Sequence, residues 1–109
     1  VKLGEVFWVE LEAQTGHAQR GRRPAIILQT SAAVPTVLVV PLTTQLDALR
    51  FPCTVLIEPD PEIGLRRPSV ALIFQLTAID RRYLIKSAGQ VPQRVLEEIF
   101  SALDELTGR

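Results

Sequence analysis

Methionine is absent from this 109-residue sequence, and cysteine, histidine, tryptophan and tyrosine occur once each. The single Cys53 excludes an intramolecular disulfide and a cysteine-rich zinc site, and it reads as a buried or incidental thiol rather than a nucleophile. The single His17 excludes a histidine pair working as acid and base. No carboxylate pair has a spacing suited to acid–base work, no phosphate-binding glycine loop of the nucleotide-binding kind is present, and possible metal ligands are scattered. Any catalysis is therefore expected to be metal-independent, with no cofactor. No apolar run approaches the roughly 18 residues of a membrane span, and no signal-peptide pattern precedes the first strand. A soluble cytoplasmic protein with no membrane partner is expected, its initiator removed or lying outside the sequence.

Charge of one sign is not in excess: 12 Lys and Arg balance 12 Asp and Glu. The charges are nevertheless segregated. Residues 16–24 carry Arg20, Arg22 and Arg23 with no acid, whereas residues 92–109 hold four acids against Arg94 and Arg109. Zero net charge thus does not argue against a nucleic-acid partner, because local patches set the steering field. The length and the 47% apolar content suit one domain over residues 1–109, small enough for oligomerisation to help bury apolar surface.

Residues 5–11 form a β-branched and aromatic run with apolar residues on both faces, predicting a strand buried on two sides. Further strands are expected over 25–29, 36–42, 53–57 and 70–79, with a last short one over 85–88. Residues 31–35 supply turn chemistry, prolines 59 and 61 end a strand, and Gly64 to Pro68 is a second basic loop. Asp80 is placed to cap a short turn through Arg81, Arg82 and Tyr83. From Pro92 the apolar period becomes 3.6, with Val95, Leu96, Ile99, Leu103 and Leu106 on one face, Pro92 in the first turn and Gly108 past the end. The expected fold is mainly β, a small and strongly bent sheet or barrel covered by a C-terminal helix.

The loop from Gly16 to Pro24 is either an anion site or a solvated hairpin. Its glycines permit close backbone approach, Pro24 holds Arg23 in extended geometry, and arginine binds phosphate oxygens bidentately. His17 can stack on a base or donate to a phosphate, or have no role. If the strands over 25–29 and 36–42 pair, Thr43 and Arg23 meet at one rim, where a hydroxyl and a guanidinium can share a phosphate. Otherwise Thr43 and Thr44 are ordinary strand-end residues. At least one of Phe7 and Trp8 belongs to the core, leaving the other free to stack a base.

Several motifs taken in order resemble one family, the MazF, PemK and Kid toxins of bacterial toxin–antitoxin pairs. They are Gly4-Glu5-Val6-Phe7-Trp8-Val9, the loop Gly16 to Ala25, the strand Thr36 to Thr43, Gln75 to Asp80, and Gly89-Gln90-Val91 before the final helix. The resemblance implies an SH3-like barrel of the MazF, Kid and CcdB plasmid-toxin type, forming a homodimer. It also implies a sequence-selective endoribonuclease that cuts single-stranded RNA without metal, the substrate's own 2′-OH attacking to leave a cyclic phosphate and a 5′-OH. The implied partner is a MazE-like antitoxin laying an acidic segment over the dimer groove, with DNA met only through that complex.

Carried over residue by residue, Arg23 matches the catalytic arginine and Thr43 the hydroxyl that stabilises the transition state. His17 and Gln19 match loop residues that contact RNA, Gln75 a residue beside the groove, and Ser69 a backbone contact; Arg20, Arg22 and Thr44 are assigned to substrate binding and steering. Two departures stand out. Ala18 occupies the place of a loop carboxylate, and Leu72 and Phe74 stand where some members carry an Arg-x-Asp acid–base pair. Residues 45–52, with Gln45, Asp47 and Arg50, are the expected specificity loop. The alternative is a non-catalytic toxin of the same barrel that binds gyrase or RNA.

Overall fold

The computed structural model of the chain describes residues 1–11, 21–29 and 31–109. Among these residues seven strands form one antiparallel sheet: β1 (Glu5–Leu11), β2 (Gly21–Ile27), β3 (Thr36–Thr43), β4 (Thr54–Ile57), β5 (Ser69–Leu72), β6 (Thr77–Asp80) and β7 (Leu84–Gln90), followed by the helix α1 (Gln93–Thr107). The strands run in the order β4-β5-β3-β2-β1-β7, and β6 also pairs with β3. β4 and β7 end this path without pairing, so the sheet does not close into a barrel by hydrogen bonds.

Strand alternation puts apolar residues on both faces of β1. Val6 joins Ile26, Val40 and Leu42 in a core capped by Val95, Leu96 and Ile99 of α1, while Val9 and Leu11 join Ala25, Ile27, Val37 and Val39 in a second cluster. Phe7 packs against the second cluster. Gln29 ties β2 to β3: its Nε2 donates to the carbonyls of Ser31 (3.0 Å) and Thr36 (2.8 Å), and its Oε1 accepts from the Leu38 N–H (3.0 Å).

The single strand expected over 70–79 is two strands separated by a 3-10 turn, Ile73–Gln75. β5 pairs with the end of β3 (Thr43 with Val70, Leu42 with Ala71) and β6 with its beginning (Val39 with Thr77), so the register slips by three residues across the turn. Buried Ile73 anchors that turn. Asp80 caps the turn Arg81–Tyr83 as its chemistry indicated, accepting from the Arg82 N–H at 2.9 Å. In α1 Pro92 is the N-cap rather than a first-turn residue, and Gly108 takes the left-handed C-terminal position (φ 81°). Leu106, expected on the buried face, is exposed, and Ala102 is buried instead.

The segment between β4 and β5 is fastened to β7. Ile63 is buried, the Ile63 and Gly64 N–H groups both donate to the Asp60 carbonyl at 3.0 Å, and the Gln90 N–H donates to the Glu62 carbonyl at 2.8 Å. Gly64 (φ 79°) lies so close to β7 that a Cβ there would run into the Ala88 carbonyl. Gly64→Ala is expected to lower stability by about 3 kcal/mol, combining a left-handed backbone with overpacking against main chain. Urea unfolding monitored by circular dichroism measures it.

Candidate functional site

Two strand ends build one rim of the sheet. β2 begins at Gly21 (φ 82°), and Arg22, Arg23 and Pro24 lie within the strand, opposite Glu10, Val9 and Trp8 of β1. Of the arginines expected in a loop, Arg22 and Arg23 are thus on strand backbone. Pro24, which has no N–H to give to a ladder, stands across from Trp8, one residue before the β2–β3 ladder begins at Ala25. Ala25 pairs with Pro41 of β3 as the last pair of that ladder, and Arg23 and Thr43 each lie two residues beyond it on their own strands.

Both residues line a cavity of about 730 Å³. One wall is Arg22, Arg23 and Pro24, another Leu42, Thr43 and Thr44, a third Gly64 to Arg67 with Ser69, and Trp8, Ile85 and Lys86 complete it. Among the described residues the lining holds five cations, Arg22, Arg23, Arg66, Arg67 and Lys86, and no carboxylate. Arg22 pairs with Glu10 at 3.6 Å (Nε to Oε1). None of the other four has an acidic partner within 4.0 Å among the described residues. Unpaired guanidinium groups converging on one concavity attract anions, and phosphate most strongly because the fork binds it bidentately.

Thr43 is buried at 4% exposure. Its Oγ1 accepts from the Gln45 N–H at 3.1 Å, which fixes the oxygen and leaves the hydroxyl proton to be donated. Ser69 is equally buried, but its Oγ donates to the Arg67 carbonyl at 3.2 Å, so its proton is committed to holding the basic loop. Exposed Thr44 borders the cavity. Gln75 lies in the Ile73–Gln75 turn and is not among the described lining residues. His17, Gln19 and Arg20, with Ala18, lie outside the described residues.

Gln45, Asp47 and Arg50 are exposed on and beside a 3-10 turn, Leu46–Arg50, directly after Thr43. Leu72 is buried, and the ring of Phe74 packs on Phe51 with centroids 5.5 Å apart. Both positions serve packing, and no acid–base pair stands there. No three His, Cys, Asp or Glu side chains cluster as a metal site among the described residues.

Arg66, Arg67 and Lys86 line the cavity although nothing in the sequence alone assigned them to a site, and Trp8 is the β1 ring that reaches it, Phe7 packing on the core. A signal for the basic wall was available in the triplet Arg-Arg-Pro, which occurs at 22–24 and again at 66–68. Cys53 is away from the cavity lining and buried, with a left-handed backbone (φ 59°). Burial pushes its thiol above the ordinary value, and Glu105 adds to this. The thiol is expected to stay protonated at pH 7–8 and to react with iodoacetamide more slowly than in the urea-unfolded chain.

The family model for the PemK-like, MazF-like toxins of type II toxin–antitoxin systems matches residues 2–107. Endoribonuclease EndoA of Bacillus subtilis is 28% identical over 106 residues, covering 94% of this chain and 90% of the relative. Endoribonuclease MazF of Staphylococcus saprophyticus is 27% identical, covering 95% and 88%. Among solved structures, MazF from Deinococcus radiodurans superposes with a TM-score of 0.82 at 27% identity, covering 100% of this chain and 97% of that one. A MazE–MazF structure from the same organism gives a TM-score of 0.74 at 25% identity, covering 99% and 96%.

Proposed function

The chain belongs to the PemK-like, MazF-like toxins of type II toxin–antitoxin systems, and on that premise we propose that it is an endoribonuclease that cuts single-stranded RNA without metal. The observation that carries the reading is that Arg23 and Thr43 line one cavity whose cations, Arg22 apart, have no acidic partner among the described residues. The RNA supplies the nucleophile. Its 2′-OH attacks the adjacent phosphorus, the O2′–P bond forms as the P–O5′ bond breaks, and the products are a 2′,3′-cyclic phosphate and a 5′-OH. One proton leaves O2′ and one reaches O5′.

Negative charge builds on the non-bridging oxygens in the transition state. Arg23, charged at any working pH, and the Thr43 hydroxyl are placed to stabilise it electrostatically. Arg23 holds charge rather than exchanging protons. Its fork and the neighbouring guanidinium groups supply the positive charge that a metal ion supplies in other nucleases.

The protein acts as a homodimer whose cation-lined groove is closed by an acidic segment of a MazE-like antitoxin. Charge complementarity favours such a partner, and a MazF neighbour solved with MazE supports it.

Incubation of the purified protein with defined single-stranded RNA in EDTA tests the reading. Discrete cuts are expected. Intact RNA that is nevertheless bound would favour a non-catalytic toxin that binds RNA, and intact RNA with inhibited gyrase would favour the gyrase-binding alternative.

A further inference from the structure

The cavity extends beyond the Arg23–Thr43 rim, and its other walls belong to separate elements of the chain. Arg66 and Arg67 come from the segment between β4 and β5, which the buried Ile63, the Asp60 carbonyl and the close approach of Gly64 to Ala88 hold in place. The Ser69 hydroxyl adds a further tie through the Arg67 carbonyl. Lys86 comes from β7, where it lies directly across from Trp8, and on its other side Trp8 faces Pro24. The half-buried Trp8 therefore sits between two cationic walls, and Arg66, Arg67 and Lys86 have no acidic partner among the described residues.

An indole flanked by fixed cations is the composition that single-stranded nucleic acid recognises, bases stacking on the ring while phosphates follow the charge. We propose that Trp8, Arg66, Arg67 and Lys86 form a flanking-nucleotide subsite. The base next to the cut stacks on Trp8, and a phosphate outside the scissile one is held by Arg66, Arg67 and Lys86. This rests on the nuclease reading and deepens it: Arg23 and Thr43 act on the scissile phosphate, whereas the second wall sets the length of RNA engaged. The subsite contributes to substrate affinity more than to the bond-breaking step.

Trp8 is the only tryptophan, so its emission reports on this subsite alone. Titration with a short RNA carrying one 2′-deoxynucleotide at the cut site is expected to quench it. Arg66→Gln/Arg67→Gln is expected to weaken binding about tenfold near 0.1 M salt and to flatten the slope of log K against log[salt] by about 0.7 for each phosphate no longer neutralised. In cleavage of the all-ribose oligomer the same variant should raise KM by more than it lowers kcat, and Arg66→Lys/Arg67→Lys should recover most of the affinity. Trp8→Ala should cost about tenfold in affinity, and Trp8→Phe less.

Unchanged affinity and salt slope in the double glutamine variant, with its fold intact by circular dichroism, would overturn the subsite while leaving cleavage by the wild type untouched. Loss confined to kcat would likewise overturn it. If the wild type quenches and binds the deoxy-substituted oligomer but leaves the all-ribose RNA intact, the nuclease reading fails and the subsite stands as a binding site.

Discussion

Arg23→Ala is expected to lower single-turnover cleavage of RNA at saturating protein by on the order of 10³-fold, the scale on which removing a fixed guanidinium from a phosphoryl-transfer site acts. The residue is exposed and has no ion-pair partner among the described residues, so the unfolding midpoint should hardly move. This combination separates a charge that acts on the transition state from a side chain that merely supports the fold. Arg23→Lys keeps the charge but not the planar fork, and it should recover only a small part of the loss. Activity within a few-fold of wild type in Arg23→Ala would remove this residue from the mechanism.

Thr43→Val should lower the same rate by about 10²-fold, because a buried donor held at a developing oxyanion contributes on that scale. Unlike Arg23, this position has a structural duty, since its Oγ1 accepts from the Gln45 N–H. Valine deletes that acceptor and should also cost about 1 kcal/mol of stability. Thr43→Ser keeps both the acceptor and the proton, so it should retain most of the activity. If serine and valine were equally impaired, the methyl packing of Thr43 rather than its hydroxyl would be what matters. Rates come from quenched-flow gel assays, stabilities from urea titration.

That Arg23 and Thr43 border one cavity is legible locally: a rigid Arg-Pro enters one strand, a hydroxyl ends the next, and the connection between them is short enough to favour the antiparallel pairing observed. Strand β1 is legible because its β-branched and aromatic residues fill both faces, and α1 because its apolar period and terminal Pro and Gly agree. The buried face of α1 departs from expectation only at its end. Leu106 keeps the period but lies beyond the last turn that meets the sheet, whereas Ala102 is too small to mark a buried face by hydropathy.

The break between β5 and β6 is not legible. Ile73-Phe74-Gln75 contains neither Gly nor Pro, and β5 is buried at every residue, so no alternation marks where it ends and the three-residue register slip begins. The second basic wall is visible as composition but not as location. What brings Arg66 and Arg67 to the rim is the contact of Gly64 with β7, a pairing of residues far apart in sequence that no local pattern encodes. Closure of the sheet is likewise beyond a strand count, since it depends on whether β4 and β7 meet.

The central claim is that Arg23 and Thr43 stabilise an attack made by the substrate's own 2′-OH. The most direct measurement uses two RNA oligomers in EDTA that are identical except for a single 2′-deoxynucleotide at the mapped cut site, with fragment masses read by mass spectrometry. The all-ribose oligomer is expected to yield a 5′ fragment ending in a 2′,3′-cyclic phosphate and a 3′ fragment beginning with a 5′-OH, while the deoxy oligomer is bound but uncut. Cleavage of the deoxy oligomer at the same position, or fragments carrying a 5′-phosphate, would contradict it.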